Sequence, residues 1–280
     1  MIYSETKFRP KPTYPTYPPY HVGDYLEDYF YKKFISQNPT VSRDYIAISW
    51  TTLYCDNKKS EIQGYLDSLP KDKKYFTISQ HDDAPQHILP KDTLCFSAGG
   101  NISGKNIIPI PLICSNIPKT SILKNKKELI ASFVGSITHP IRIQMAQTLF
   151  GKPEYQIWIK QWSPSVNKSE FDLFLELASK SKYLLCPRGY GLNSFRLYEA
   201  FQLNCVPVII TDKPYLPWSD ELNWNDFSVF VDAKDVGSVD SILKNIDSSI
   251  YEKLLNNGQA IYSDYFTLDG MYNNIIKRIS

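Results

Sequence analysis

Two arginines and a carboxylate lie between two apolar runs in the second half of the chain. The runs cover residues 183–186 and 206–210, and between them a glycine loop at 188–191 precedes Arg196 and Glu199. The order strand, glycine loop, helix N-terminus, strand is how open α/β sheets present backbone N–H groups to a phosphate. Because Glu199 comes three residues after Arg196, both side chains project from one helix face. A guanidinium for a diphosphate beside a carboxylate for sugar hydroxyls suits a nucleoside diphosphate sugar.

The loop offers further candidates for binding such a donor. Arg188 is a second cation for the diphosphate, Gly189 allows close approach of a ligand, and Tyr190 can stack on a nucleobase. At the start of the helix, Asn193 or Ser194 can serve as the N-cap. The alternatives are a surface or interdomain salt bridge for each arginine and a plain exposed position for the tyrosine.

A second turn with free backbone N–H groups is predicted earlier in the chain. Gly135 and Ser136 follow an apolar run and precede a helix that begins near Pro140. Arg142 adds a third cation, and His139 either caps this helix or touches the sugar. Both turns are therefore predicted to bind the donor.

The composition indicates a soluble globular protein of the size at which one core divides into two. Of its 280 residues, 42% are hydrophobic and 21% are charged, which is ordinary for such proteins. A formal net charge of +2 gives no support to a nucleic-acid partner or to an anionic membrane surface. The 20 tyrosines and 5 tryptophans suit a carbohydrate-binding surface, and core packing is the alternative explanation.

The five cysteines indicate a reducing compartment. They are odd in number, scattered and outside any CxxC pair, so we interpret them as buried free thiols. No apolar segment reaches the roughly 18 residues of a membrane-spanning helix, and the first residues lack the pattern of a signal peptide. These observations predict a cytoplasmic protein without a membrane span.

Strands alternate with helices along most of the chain, which predicts an α/β fold with parallel sheets. The predicted strands are 45–48, 76–78, 94–96, 107–113, 131–134, 155–158, 183–186 and 206–210. The predicted helices are 24–36, 58–68, 140–149, 169–178, 238–246, 248–263 and 268–279. Residues 1–20, which hold five prolines, are predicted to be an extended arm, and residues 118–127 an inter-domain linker.

Several of these segments resemble the exostosin family of glycosyltransferases. In the donor half, the likeness lies in residues 133–142 and in residues 186–218, CPRGYGLNSFRLYEAFQLNCVPVIITDKPYLPW. On the acceptor side it lies in residues 25–30 and 81–85. The resemblance covers roughly residues 15–265, and in size and style it is nearest to compact, soluble members encoded by large algal viruses.

The resemblance implies a GT-B fold, in which two Rossmann-like domains with parallel sheets face a cleft. Residues 1–120 would form the acceptor-side domain and residues 121–260 the nucleotide-sugar donor domain. The remaining residues, 261–280, would form a C-terminal helix that packs back on the first domain.

The resemblance also implies an inverting transfer of a sugar from a UDP-sugar to a hydroxyl of an oligosaccharide or glycoprotein glycan. Family donors include UDP-glucuronate, UDP-galactose, UDP-xylose and UDP-arabinose, of which we favour UDP-xylose. Glu199 would then bind the ribose hydroxyls, with a simple ion pair to Arg196 as the alternative. We expect no metal cofactor, and the leaving diphosphate would be stabilised by helix N-termini and by Arg142, Arg188 and Arg196.

The general base is predicted at the end of a strand in the first half of the chain. An inverting transfer needs a group that deprotonates the acceptor hydroxyl. His81, Asp82 and Asp83 follow a predicted strand, at the carboxyl end where α/β sites lie. Asp82 or Asp83 would act as the base only if burial or a neighbour raised its pKa. A plain turn at these residues and a base at Glu27 are the alternatives.

A second class of function remains open at this stage. The chain could be a catalytically inactive GT-B subunit that binds glycans or has a structural role. A hydrolase would need paired carboxylates across a cleft, and no such pair can be assigned from the sequence. A dinucleotide-dependent dehydrogenase is disfavoured because no GxGxxG follows a predicted strand.

Overall fold

In a computed structural model, which describes residues 1–12, 25–113, 117–119, 122 and 125–280, the chain forms two parallel sheets of five strands each. The first sheet has the order β1-β2-β3-β4-β5, with strands Ile2–Tyr3, Asp44–Ile46, Tyr75–Ser79, Leu94–Ser97 and Ile107–Pro109. The second has the order β10-β9-β8-β6-β7. In chain order from β6 to β10, its strands are Leu129–Ser136, Tyr155–Lys160, Ser181–Pro187, Val206–Thr211 and Val229–Asp232. This is the predicted α/β class, with the two parallel sheets of a GT-B fold.

Helices connect the strands and cover both faces of each sheet. In the first domain they are α1 Leu26–Gln37, α2 Trp50–Cys55 and α3 Ile62–Ser68. In the second domain they are α4 Pro140–Leu149, α5 Lys168–Lys180, α6 Phe195–Gln202, α7 Val239–Lys244 and α8 Ser248–Tyr265. The last helix is α9 Leu268–Ile279.

The apolar runs of the strands form layers on both faces of each sheet. Along β8, Tyr183 and Leu185 pack into one cluster with α4 and α8, whereas Leu184 packs into another with α5. Along the first sheet, Tyr45 and Ile46 likewise belong to different clusters. Parallel strands buried on both faces read as continuous apolar runs, which is why the sequence shows them without alternation.

A shared core joins the two domains through the last helix. α9 packs against α1, where the rings of Phe30 and Tyr272 have centroids 5.0 Å apart. The backbone N–H of Ser42 donates to the carbonyl of Ile279 at 2.7 Å. The same apolar cluster includes Cys186 and Trp218 of the second domain. The cleft between the domains therefore rests on one continuous core.

The structure differs from the sequence prediction at the N-terminus and after β2. Ile2–Tyr3 is an edge strand rather than part of an extended arm, because it pairs in parallel with β2. The helix at Trp50–Cys55 was not predicted, since its short apolar run lacks a recognisable cap. Residues 13–20 of the predicted arm and residues 120–121 and 123–124 of the predicted linker lie outside the described residues.

The cysteines follow the prediction with one exception. Cys95, Cys186 and Cys205 are buried and free. Cys55 is also free but exposed, because it is the last residue of α2 and lies at the cleft; its predicted burial is wrong. Cys114 lies outside the described residues. Within the described ranges, no helix has both the length and the apolar character needed to cross a bilayer.

Candidate active site

The second sheet changes direction between β6 and β8. From β6 the chain moves to β7 on one side, and from β8 it moves to β9 on the other. The loops that leave β6 and β8 therefore diverge and open a crevice at the carboxyl ends of these strands, where ligands of α/β proteins bind. These are the loops with Gly135 and Ser136 and with residues 188–194. The topology thus brings the two predicted donor loops together.

A cleft with a volume of about 490 Å³ lies at this crevice and is lined by both domains. From the donor side it is lined by Gly135, Ser136, Arg142, Gly189, Ser194 and Arg196. From the acceptor side it is lined by Thr51, Gln80, His81, Asp82 and Asp83. This volume and the mixed polar and apolar lining are typical of a small-molecule binding site.

Arg142 ties the two donor loops to each other. Its guanidinium donates to the backbone carbonyls of Ser136 at 2.9 Å, Arg188 at 3.1 Å and Pro187 at 3.2 Å. A Cβ added at Gly189 would lie 2.9 Å from Nη2 of Arg142, so glycine lets the loop approach this guanidinium without displacing it. Arg142 therefore fixes the loops and also places its positive charge in the crevice.

Arg188 holds its own loop in shape. It pairs with the Asp212 carboxylate at 2.8 Å and donates to the carbonyls of Gly189 at 3.2 Å and Tyr190 at 3.1 Å. The hydrogen bond from Arg188 lowers the pKa of Asp212. In this structure Arg188 shapes the loop, and Asp212 balances its charge.

Arg196 and Glu199 form a largely buried pair at the start of α6. The Arg196 guanidinium donates to the Glu199 carboxylate and, through Nε, to the Val134 carbonyl at 2.9 Å. It also lies over the Phe174 ring at 3.9 Å from the centroid. Glu199 is 1% exposed and lies behind Arg196, which lines the cleft. The structure therefore shows the ion pair that was the alternative for these residues.

Asn193 connects the donor loop to the acceptor domain. Its side-chain amide donates to the carbonyls of Ala98 at 2.9 Å and Ile110 at 3.3 Å. Its Oδ1 accepts from the backbone N–H of Ser194 at 2.9 Å. Ser194 occupies the N-cap position of α6 with an extended backbone. Asn193, expected at the donor, is thus a buried link across the domain boundary, while Ser194 lies at the cleft.

Asp82 lies against the donor loop across the domain boundary. A Cβ added at Gly191 would lie 2.1 Å from Oδ1 of Asp82, so the donor loop can close over this carboxylate only with glycine at that position. Burial, followed by the charge of Asp83, raises the pKa of Asp82 to about 7, against the opposing effect of Arg142 and Arg188. This is the shift that a carboxylate base requires near neutral pH.

Asp83 is engaged in a different way from its neighbour. It accepts hydrogen bonds from Asn101 Nδ2 at 2.9 Å and from the Tyr190 hydroxyl at 3.0 Å. Tyr190 is 59% exposed, yet its hydroxyl reaches across the domain boundary. This geometry orients Tyr190 toward the acceptor domain.

The two predicted histidines both accept hydrogen bonds from the backbone. His81 Nδ1 accepts from the N–H of Asp83 at 3.1 Å, and His139 Nδ1 accepts from the N–H of Ile141 at 3.3 Å. Burial lowers the pKa of each, so each ring is neutral with its proton on Nε2 at pH 7. His139 is the N-cap of α4, and His81 lines the cleft.

Glu27, the alternative base, has a supporting position. Its carboxylate accepts from Thr51 N–H at 3.0 Å, from the Thr51 hydroxyl at 2.9 Å and from Gln80 N–H at 2.8 Å. It is 1% exposed, and burial raises its pKa to about 7. Because Thr51 and Gln80 line the cleft, Glu27 orders the acceptor wall from behind.

One end of the cleft consists of aromatic side chains that sequence reasoning missed. Trp158, Trp162, Phe171 and Phe174 line it, and Trp162 is 54% exposed. These residues lie at the end of β7, in the following loop and on α5. The sequence could have indicated these residues, because ligand sites form at the carboxyl ends of parallel strands and two tryptophans lie at such an end here.

The comparison with known proteins matches a family over most of this region. The Exostosin GT47 domain family matches residues 69–246, a range that includes the acceptor-side carboxylates and both donor loops. In structure, the chain is similar to sucrose-phosphate synthase of Thermosynechococcus elongatus, with a TM-score of 0.46 and 10% identity over 91% of this chain and 71% of that one.

Curated relatives are similar over shorter segments. A probable glycosyltransferase of Arabidopsis thaliana is 30% identical over 130 residues, which cover 46% of this chain and 24% of that protein. A probable beta-1,4-xylosyltransferase of the same plant is 42% identical over 77 residues, covering 28% and 19%. A probable glucuronosyltransferase of Oryza sativa subsp. japonica is 39% identical over 92 residues, covering 30% and 21%. The matched segments therefore span a quarter or less of these relatives' length.

The raised pKa of Asp82 predicts a pH-dependent cost in stability. The ordinary pKa is 3.8 and the folded-state pKa is about 7. Between these two values the folded protein binds more protons at Asp82 than the unfolded protein does. The free energy of unfolding therefore decreases as the pH rises toward 7. Asp82→Asn removes the effect. The melting temperature of the unaltered protein relative to this variant should fall from pH 5 to pH 8, by at least the roughly 2–4 °C that one pKa unit represents.

The exposed Asp92 provides the control for this measurement. The variant Asp92→Asn should show a constant difference from the unaltered protein over the same range, because this substitution lies outside the cleft lining and leaves Asp82 unchanged. A constant difference for Asp82→Asn as well would contradict the assignment of a desolvated carboxylate.

Proposed function

Because this chain belongs to the exostosin GT47 family of glycosyltransferases, we propose that it is an active, inverting enzyme that transfers a sugar from a UDP-sugar to a hydroxyl of a glycan. The observation that carries the proposal is the position of Asp82. A carboxylate with a pKa of about 7 projects from the acceptor domain into a cleft whose other wall is built from the donor loops. An inactive glycan-binding subunit has no need of such a group.

The diphosphate of the donor is proposed to bind between the loops that follow β6 and β8. The first-turn N–H groups of a helix have no partners within the helix and attract anions. Ser194 and Arg196, at the start of α6, and Gly135 and Ser136, opposite them, all line the cleft. Arg142 supplies positive charge between these loops.

The nucleobase is proposed to occupy the aromatic end of the cleft. The sugar has to reach Asp82, so the nucleoside extends from the diphosphate toward the other end, where Trp158 and Trp162 lie. Flat aromatic side chains bind a base by stacking. Lys160 and Glu170, which pair at 2.5 Å, place polar groups at the same end. This replaces Tyr190 as the stacking residue, since its hydroxyl binds Asp83.

Asp82 is proposed to act as the general base. Its carboxylate takes the proton from the acceptor hydroxyl, whose oxygen then forms a bond to the anomeric carbon. The bond from that carbon to the β-phosphate oxygen breaks on the opposite face, and its electron pair leaves with UDP. Because attack and departure occur on opposite faces, the anomeric configuration is inverted.

We propose that no metal is needed for departure of UDP. Helix N-termini and the guanidinium of Arg142 stabilise negative charge on the diphosphate. In the part of the chain that the structure describes, no group of three or more His, Cys, Asp or Glu side chains could hold a metal ion. The proposal rests instead on the positive groups around the diphosphate, which are the helix N-termini and Arg142. Turnover that survives EDTA would support it, and loss of turnover that Mn²⁺ restores would contradict it.

UDP-xylose is proposed as the donor and an oligosaccharide or glycoprotein glycan as the acceptor, in a cytoplasmic setting. Similarity to a probable beta-1,4-xylosyltransferase supports the donor, and a probable glucuronosyltransferase makes UDP-glucuronate the first competitor. A panel of UDP-sugars, each tested for UDP release with and without oligosaccharides, decides between them. UDP binding without turnover of any donor would favour the inactive subunit instead.

Asp82→Asn is expected to lower turnover at least about 100-fold, because the reaction loses its base, while UDP affinity stays within about twofold. In the unaltered protein, kcat/KM should fall as the pH drops below about 7, where the carboxyl is protonated. Steady-state UDP release from pH 5 to 9 measures both effects, with Asp92→Asn as the control. Substantial turnover by Asp82→Asn would rule out this base.

Glu199→Ala is expected to weaken UDP binding at least about tenfold, since Glu199 either binds the ribose or holds Arg196. Calorimetric titration with UDP and with uridine separates these roles. An equal loss for both ligands indicates ribose contact, whereas a loss for UDP alone indicates action through Arg196 on the diphosphate. Unchanged UDP affinity in Glu199→Ala would refute a donor role for Glu199.

Arg196→Lys should lower turnover with little change in melting temperature, because lysine lacks the bidentate fork of the guanidinium.

A further inference from the structure

The hydrogen bond between Tyr190 and Asp83 joins the two loops that frame the proposed reaction centre. We propose that these residues form a latch across the domain boundary and that both are positioning residues, which hold Asp82 against the donor loop. The inference rests on the proposed function for its catalytic meaning. The latch itself is a physical contact that can be tested without any substrate.

On the acceptor side, the latch fixes the carboxylate of Asp83 in one orientation. Its Oδ2 accepts from the Tyr190 hydroxyl at 3.0 Å and its Oδ1 from Asn101 at 2.9 Å. Its backbone N–H donates to His81 Nδ1 at 3.1 Å. Both oxygens of Asp83 are thus engaged, and the neighbouring Asp82 is the carboxylate proposed to exchange a proton with an acceptor.

On the donor side, the loop that carries Tyr190 is held rigidly enough to transmit the contact. Arg188 donates to the carbonyls of Gly189 and Tyr190 at 3.2 and 3.1 Å, and Asp212 anchors Arg188 at 2.8 Å. Tyr190 can therefore be 59% exposed and still present its hydroxyl at a defined place.

The residue after Tyr190 is Gly191, which lies against Asp82. A Cβ added at Gly191 would be 2.1 Å from Oδ1 of Asp82. The latch residue Tyr190 and the glycine that contacts Asp82 are therefore neighbours on the same loop. The charges that face Asp82 come from two loops and from helix α4, with Asp83 raising its pKa and Arg142 and Arg188 lowering it. Tyr190 and His81, which also face it, are neutral at pH 7 because the pKa of Tyr190 is raised by Asp83 and that of His81 is lowered by burial.

Two variants separate the positional and electrostatic parts of this role. Tyr190→Phe removes the hydroxyl and leaves the ring and the Asp83 charge. Asp83→Asn keeps the shape and a hydrogen-bonding amide but removes the charge. The matched control is Tyr215→Phe, because the Tyr215 hydroxyl also crosses the boundary, to the Ser97 carbonyl at 2.8 Å, without touching Asp83.

The first readout is amide hydrogen exchange of the full-length protein without substrate. Tyr190→Phe should speed exchange in peptides that cover residues 81–86 and 188–192 by about threefold or more, since local opening is no longer opposed by the latch. Tyr215→Phe should leave these peptides within about 1.5-fold of the unaltered protein. Unchanged exchange in Tyr190→Phe would overturn the latch, whatever the protein catalyses.

The second readout is the pH profile of UDP release with the best donor of the panel. Tyr190→Phe should lower kcat/KM by at least about tenfold, the effect of losing one hydrogen bond to a carboxylate, with UDP affinity within about twofold. Asp83→Asn should move the acid limb of kcat/KM to lower pH, because Asp82 loses a like-charged neighbour.

The outcomes distinguish failure of the latch from failure of the proposed function. A loss in Asp83→Asn as deep as in Asp82→Asn at every pH would make Asp83 the base and overturn its positioning role. An active Asp82→Asn would overturn the proposed base, while hydrogen exchange would still decide on the latch. An unshifted acid limb in Asp83→Asn would overturn the electrostatic part alone.

Discussion

The contact of Gly191 with the Asp82 carboxylate is the constraint on which the site depends. The donor loop can close over this carboxylate only because position 191 has no side chain, since a Cβ there would lie 2.1 Å from Oδ1. Burial, with the charge of Asp83, raises the pKa of Asp82 to about 7. A surface carboxylate with an ordinary pKa would be a poor base at neutral pH. The chemistry therefore follows from the way the two domains meet.

Desolvating a carboxylate costs stability, and other contacts across the same boundary offset that cost. The buried amide of Asn193 donates to Ala98 and Ile110. Each such bond contributes about 0.5–1.5 kcal/mol. The larger contribution comes from the apolar core that both domains share around α9. The active site is thus held closed by groups that take no part in the reaction.

The elements whose signals are local were predicted well from the sequence. The helix at 140–149 agrees with α4 because Pro140 and a capping His139 mark its start, and 268–279 agrees with α9. The α/β class and the strand ends that carry the site followed from the alternation of apolar runs and amphipathic segments. Glycine positions such as Gly189 were also indicated by the loop pattern.

The predictions that depend on distant partners could not be made from one sequence. The role of Asn193 depends on carbonyls 83 and 95 residues away, and its local sequence indicates only a helix start. The donors that surround Glu27 come from Thr51 and Gln80, so its supporting position was invisible. Which of Asp82 and Asp83 is desolvated depends on Gly191, whose place at the boundary is a tertiary fact.

A direct titration of Asp82 tests whether burial at the domain boundary raises the pKa of this carboxyl. Carboxyl carbons of ¹³C-labelled aspartates are followed by NMR from pH 3 to 9, and the Asp82 signal is assigned by its absence in Asp82→Asn. We predict a midpoint near 7 for this carboxyl, well above that of an ordinary aspartate. A midpoint near the ordinary value of 3.8 would contradict it, because Asp82 would then be solvated and the closed contact with the donor loop would not exist in solution.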